Sequence, residues 1–241
     1  MLSPATVSER RPRTRPISFN GFPPLESGDR LSRAEFEQRY EARPDIKKAE
    51  LIEGVVYVSS PVHFQKHGWP HGRVITWLGT YEAATPGVYL ADNVTLRLGP
   101  KSVPQPDAML IIDPKLGGRS RISGDDYLEG SPELIIEVAA STASYDMHDK
   151  LRVYQRNSVQ EYLVLLVYER RAIWHVLEDN KYRVLLPDDR GLLRSQVFPG
   201  SVLAPQLFWA DDQAGVLAVL QREGLASPEH AAFVTQLSTK Q

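Results

Sequence analysis

A carboxylate set inside an apolar strand narrows what this chain can fold into more than any other feature. In Glu133-Leu-Ile-Ile-Glu-Val-Ala139, Leu134, Ile136 and Val138 fall on one face by the period of two, and Glu133, Ile135 and Glu137 fall on the other. An ionised carboxyl group among apolar neighbours is costly unless it is paired or bound to a metal. Asp107 repeats the situation: it follows Pro106 and opens the run Ala-Met-Leu-Ile-Ile. If the strands over 107–112 and 132–139 lie side by side, both carboxylates meet at an edge of one sheet. Two hard oxygen ligands that leave several waters in place suit Mg²⁺. A metal so held can activate water and neutralise charge on a phosphate.

The remaining pattern interleaves strands with helices, as an α/β fold does. Ser32 followed by Glu35 predicts a capped helix to about Ala42. Glu50 to Ser59 reads as a hairpin turning near Glu53-Gly54. Pro70 suits the first turn of a helix whose stripe is Val74, Trp77, Leu78 and Tyr81. A weakly alternating strand is expected over 88–98, and a connection from Gly117 to Gly130. A helix from about Ser144 to Arg156 places Met147, Leu151 and Tyr154 on its buried stripe, with Asp146 and Lys150 beside it. A strand over 161–168, a hairpin of 171–178 and 181–186, and helices near 211–222 and 227–237 complete the chain. There is no internal repeat and no second domain. The expected organisation is a flexible, basic, Pro-rich arm over 1–30, one domain over 31–209 and a C-terminal helical extension over 210–241. In that extension Val216, Leu217, Val219 and Leu220 either pack back on the core or form a subunit interface.

Lys150 could lean over the end of the sheet and stabilise developing charge on a phosphate, although spacing alone favours a surface pair with Asp146. Glu50 could add a carboxylate to the site or be a solvated strand end. His63, His67 and His71 are four apart, but Gly68 and Pro70 are expected to interrupt any helix carrying all three, which weighs against zinc. His148 reads as a surface residue, and Arg119 and Arg121 as either backbone-contacting or ordinary loop residues. Composition removes other chemistry. The chain has no cysteine, so thiolate ligands, thiol nucleophiles and disulfides are excluded. The dinucleotide, P-loop and Gly-x-Ser-x-Gly patterns are absent. No apolar run is long enough to span a membrane and the N-terminus lacks the apolar stretch of a signal peptide, so a cytoplasmic location is expected. A net charge of -2 asks that any nucleic-acid surface be a local one. The cluster Arg10, Arg11, Arg13 and Arg15 reads more readily as a solubilising tail than as a polyanion contact.

Taken in order, Glu50-Leu-Ile-Glu-Gly, Ser60-Pro61, His71 ahead of an amphipathic helix, Pro106-Asp107, Glu137-Val138, Asp146 with Lys150 and Tyr154, Val159-Gln-Glu-Tyr162 and Phe198-Pro-Gly form a pattern. It resembles the restriction-endonuclease family, common in cyanobacteria, of the PD-(D/E)xK nuclease superfamily, over about residues 31–209. The resemblance implies an α/β, restriction-endonuclease-like core: a central mixed sheet flanked by helices. It implies a Mg²⁺-dependent endonuclease that hydrolyses DNA phosphodiester bonds, with Mn²⁺ as a substitute ion and a homodimer because two strands must be cut. Carried over by position, Asp107, Glu137 and Glu50 are metal ligands and Lys150 is the catalytic lysine. His71 matches a histidine at the head of the second helix, and Asp146 and Tyr154 are secondary candidates. The superfamily lysine two residues after the acidic one is replaced here by Ala139. Gln105 stands where an arginine is frequent, and Ala139-Ala-Ser-Thr142 where Ser-Pro-Ser-Thr is usual. The alternative is a catalytically inactive module on the same scaffold, binding nucleic acid or protein.

Overall fold

Ser32 opens the first helix by a reciprocal capping box, its hydroxyl accepting from the Glu35 N–H while the Glu35 carboxylate accepts from the Ser32 N–H. The structure is a computed structural model that describes residues 21–59 and 63–239; the arginine cluster at 10–15 and Ser60-Pro61 lie outside the described residues. Helix α1 (Arg33–Glu41) leads to the hairpin of β1 (Ala49–Ile52) and β2 (Val55–Val58). Its two turn residues, Glu53 and Gly54, both take positive φ (50° and 83°), the geometry that matches the twist of paired strands.

The histidine segment departs from expectation. A π-helical turn (Phe64–Gly68) runs directly into α2 (Trp69–Ala83), with Pro70 in the first turn, where its missing N–H interrupts nothing. His67 and His71 therefore share one face and their rings stack, centroids 5.5 Å apart. The strand expected over 88–98 is divided into β3 (Val88–Asp92) and β4 (Leu96–Arg97), because Asn93 turns the chain at φ 54°. After β5 (Ala108–Ile112), the stretch expected as a connection supplies β6 (Ser120–Ile122) and β7 (Leu128–Gly130), which join β4 in a small sheet. Three-residue strands are too short to show an alternation in sequence.

The central strand is β8 (Leu134–Ala139). Beyond it, α3 (Ala143–Tyr145), a π turn (Asp146–Lys150) and α4 (Leu151–Arg156) make one continuous helical segment. Then come β9 (Glu161–Leu166), β10 (Arg171–Glu178), β11 (Lys181–Val184), β12 (Leu193–Arg194) and β13 (Val202–Leu203). The chain ends in α5 (Pro205–Trp209), α6 (Gln213–Val219) and α7 (Pro228–Ser238). The main sheet has the order β11-β10-β9-β8-β5-β3; β8 and β9 run parallel and the other pairs antiparallel, so it is mixed. Both faces of β8 are covered. Leu134, Ile136 and Val138 pack with Val74, Trp77, Leu78 and Tyr81 of α2, while Ile135 and Ala139 pack with Val153 and Tyr154 of α4. Each such large apolar side chain contributes about 1.5–3 kcal/mol on burial. Val216 and Leu220 are fully buried in the first of these cores, with Leu217 and Val219 packed at its margin, so the C-terminal helices close over the sheet. The result is a mixed sheet flanked by helices, a restriction-endonuclease-like core. No described helix is long and apolar enough to cross a membrane.

Candidate functional site

The register of the sheet brings the two strand carboxylates together. Strands β5 and β8 pair antiparallel with Ala108 opposite Ile136, and one step further along lie Asp107 and Glu137. The Val138 N–H donates to Asp107 Oδ2 at 2.9 Å, which locks that carboxylate against the neighbouring strand. Glu50, the second residue of β1, is 4% exposed rather than a solvated strand end, and its Oε1 accepts the Gln105 N–H at 2.7 Å.

Lys150 and Asp146 are both 2% exposed, so the surface pair favoured by their spacing does not form. The cause is the π turn at 146–150: its i→i+5 winding shifts the phase of the segment. Asp146 and Lys150 point inward, while Met147 and Leu151 are only partly buried. Lys150 Nζ then lies 2.8 Å from Glu137 Oε1, 2.9 Å from Glu50 Oε1 and 3.5 Å from Asp146 Oδ1. The Tyr154 hydroxyl donates to the same Glu137 oxygen at 3.0 Å. Ala139 is packed into the core, and the lysine beside Glu137 is Lys150, from the helical segment that follows.

Two further groups meet Asp107. Lys48 Nζ is 3.0 Å from its Oδ1, and His67 faces it with Nε2 at 3.5 Å while Nδ1 lies 3.1 Å from the Val138 carbonyl. Lys48 is not singled out by the sequence, and His67 figures there only within a zinc reading that is set low. Lys48 stands two residues before Glu50, on the same strand face by the period of two, and that was the only available signal. His67 was set aside on the assumption that Pro70 broke the helix. His71 Nε2 lies 3.0 Å from the Asp107 carbonyl and 3.1 Å from Asp92 Oδ1, so it braces the Asp107 backbone rather than its carboxylate. Lys48, Glu50, His67, His71, Asp107, Glu137, Asp146 and Lys150 line one cavity of about 550 Å³. On its wall Tyr145 has a buried hydroxyl without a partner, and its ring lies 5.2 Å from Lys150 Nζ.

The electrostatics are those of a crowded acidic cluster held by two cations. Burial pushes Glu137 up to about 8, with Asp107, Asp146 and Glu50 adding to the rise and Lys150 opposing it. Asp146 is raised for the same leading reason. Burial also pushes Asp107 up, but Lys48, His67, Lys150 and the Val138 N–H outweigh it and hold this carboxyl below its ordinary value. Lys150 is disfavoured by burial yet kept charged, well above the usual lysine range, by Glu137, Glu50 and Asp146. Lys48 is raised as well: burial lowers it, and Asp107, Glu137 and Glu50 more than compensate.

Four buried carboxylates thus face two ammonium groups, which leaves two negative charges to be balanced by protons or by a divalent cation. All the donors are hard oxygens, the set that suits Mg²⁺. The donor chemistry and the charge fit such an ion; the present arrangement is closed around Lys150. Among the described residues, no group of three or more His, Asp or Glu side chains is arranged to hold a metal.

Residues 33–206 match a protein-family profile, Uma2, described as "Putative restriction endonuclease". The chain is also similar to a solved structure from Anabaena variabilis ATCC 29413, described as "a putative nuclease belonging to DUF820". The TM-score is 0.52 and the identity 12%, over 67% of this chain and 89% of that one. At that identity the likeness concerns the fold alone. Comparison with curated proteins gives no match. With the family profile spanning most of the chain and the same mixed sheet carrying the buried acids, the chain belongs to the Uma2 family of restriction-endonuclease-like proteins.

Proposed function

We propose that the cavity hydrolyses phosphodiester bonds of DNA with the help of Mg²⁺, or Mn²⁺ in its place. The family and the fold support a nuclease scaffold; the activity rests on one observation, the gathering of four buried carboxylates, Glu50, Asp107, Glu137 and Asp146, around only two lysines. Asp107, Glu137 and Glu50 would hold the ion, which would polarise a phosphate oxygen and lower the pKa of a bound water. The chain's own residues supply the rest. Both lysines line the cavity, but the Lys48 side chain is 22% exposed and that of Lys150 3%. Lys48 is accordingly the group that reaches a phosphate and offsets charge as the phosphorus gains its fifth oxygen. Lys150 is a positioning residue, keeping three carboxylates converged that would otherwise repel. Lys66 lines the same cavity beside Lys48, a local cationic surface for a polyanion on a chain of net charge -2.

A second reading is favoured by the position of Lys150 at the point where the carboxylates converge, and by the absence of a ready three-residue metal group among the described residues. In that reading the ammonium replaces the metal permanently, and the scaffold binds nucleic acid or protein without turnover. Calorimetric titration of Mg²⁺ and Mn²⁺, followed by plasmid nicking on the same samples, separates the two. Hydrolysis requires metal uptake and nicking in the wild type, and loss of both in Asp107→Asn. Wild-type protein that takes up no metal at millimolar concentration and leaves plasmid intact would establish the inactive module.

A further inference from the structure

The π turn that presents His67 and Lys66 to the acidic cavity presents its opposite side to a second one. This cavity, of about 530 Å³, is lined by Phe64, Trp69, Arg73, Arg170, Phe208 and Trp209 among others. Two of its aromatic rings lie open to solvent: Phe64 is 70% and Trp69 51% exposed, with ring centroids 5.8 Å apart. Exposed apolar surface gathered in one patch, rather than scattered singly, is typical of surfaces that bind something. The wall behind them is polar in a specific way. Arg73 is 6% exposed, its guanidinium lies 4.7 Å from the Phe208 ring, and its Nε and Nη1 donate to Gln213 and Asp211. Its Nη2 has no partner, and neither has the buried indole Nε1 of Trp209. Both atoms are covered by protein, so what the cavity offers a ligand is the exposed rings of Phe64 and Trp69 and the cations beside them.

We infer that this cavity is a subsite for an unpaired nucleobase of the strand whose phosphate lies in the neighbouring acidic cavity. A base supplies a flat π face for the exposed rings of Phe64 and Trp69. The strand's phosphates are matched by Arg170 on this cavity and by Lys66 on the next, where Lys66 Nζ also lies 5.7 Å from the exposed Tyr168 ring. One carboxylate, Asp211, lines the cavity, and it is already paired with Arg73. Aromatic rings interleaved with cations along a groove are how single strands are held without reading their sequence. The inference rests on the phosphodiesterase reading of the adjacent site and adds a substrate class to it: single-stranded or locally unpaired nucleic acid.

The test is equilibrium binding by fluorescence anisotropy in EDTA, which needs neither metal nor turnover. A labelled oligothymidylate dodecamer is compared with an abasic dodecamer of equal charge, for wild type, Trp69→Ala and Phe64→Ala. Both replaced side chains are largely exposed, and circular dichroism checks that the variants fold. Wild type should prefer the base-bearing strand by roughly tenfold or more, the worth of one stacked base. Each variant should lose most of that preference while binding the abasic strand as wild type does. Equal wild-type affinity for the two strands, no binding of either, or a preference that survives both substitutions would overturn the inference. So would variants that change only the sedimentation mass, since the rings would then be a contact between copies of the chain. Nicking without base preference defeats the base subsite alone, and base preference without nicking defeats only the phosphodiesterase reading.

Discussion

Replacing Lys150 by methionine removes the charge that touches three buried carboxylates while leaving most of the side-chain volume in place. Breaking one partner out of a buried ion pair costs about 3–5 kcal/mol, because the remaining charges stay buried and uncompensated. With Glu137, Glu50 and Asp146 all within 3.5 Å of the ammonium, the upper half of that range applies. For a domain of this size 1 kcal/mol is worth roughly 2–4 °C, so Lys150→Met should lower the melting temperature by roughly 8–20 °C at pH 8. The loss should depend on pH. A carboxyl whose folded pKa lies above its unfolded value gains protons on folding; its contribution is present below the unfolded pKa and is lost as pH rises through the folded one. Glu137 is already raised to about 8, and without Lys150 the cluster moves further in that direction. The gap between variant and wild type should therefore be small at pH 5 and widen towards pH 8. Urea unfolding in EDTA, followed by tryptophan fluorescence and by circular dichroism, measures this. A cost under about 1 kcal/mol at pH 8, or an equal cost at both pH values, would refute the claim that Lys150 holds the acids together.

Three other outcomes follow from particular contacts. Glu161 is fully buried with Ser195, Gln196 and Val197 donating to it, and burial raises it to about 7. Stability should therefore fall as pH climbs from about 4.5 to 7, and Glu161→Gln should remove up to about 1.4 kcal/mol per pH unit of that slope; an unchanged slope would count against the assignment. Tyr154→Phe removes a buried hydrogen bond to Glu137 and should cost about 1 kcal/mol in urea unfolding, with no change if the hydroxyl does not donate there. Leu220→Ala, in a fully buried position of the C-terminal segment, should cost about 2–5 kcal/mol, whereas a cost below 0.5 kcal/mol would mean that this segment does not close the core.

The sheet was legible because its strands carry strong, long patterns. That the Asp107 and Glu137 strands are neighbours stands in the sequence only as a condition, suggested by two carboxylates in apolar runs, and the β5–β8 pairing meets it. The hairpin at Glu53-Gly54 and the capped helix at Ser32 were readable from turn and cap chemistry that acts within four residues. What the sequence hid depended on phase. A π turn inserts its extra residue without any compositional mark, so the inward aim of Asp146 and Lys150 could not be read from a period of 3.6; the shared face of His67 and His71 does follow from their spacing of four, but Gly68 and Pro70 argue against the helix that carries it. Lys48 was hidden for another reason: nothing distinguishes a lysine at a strand entry from a solvated one until the register brings Asp107 within 3.0 Å of it. The strands β6 and β7 are too short to alternate and were readable only as a loop.

Binding of a divalent cation by Asp107, Glu137 and Glu50 is open to direct observation in a crystal grown or soaked with Mn²⁺ and measured at its absorption edge. The account expects one anomalous peak in the cavity, roughly 2.2 Å from oxygens of Asp107 and Glu137, with the Lys150 ammonium displaced from the point where the carboxylates converge. A cavity without a peak, with Lys150 still bridging Glu50 and Glu137, would contradict it and leave the inactive scaffold as the description of this chain.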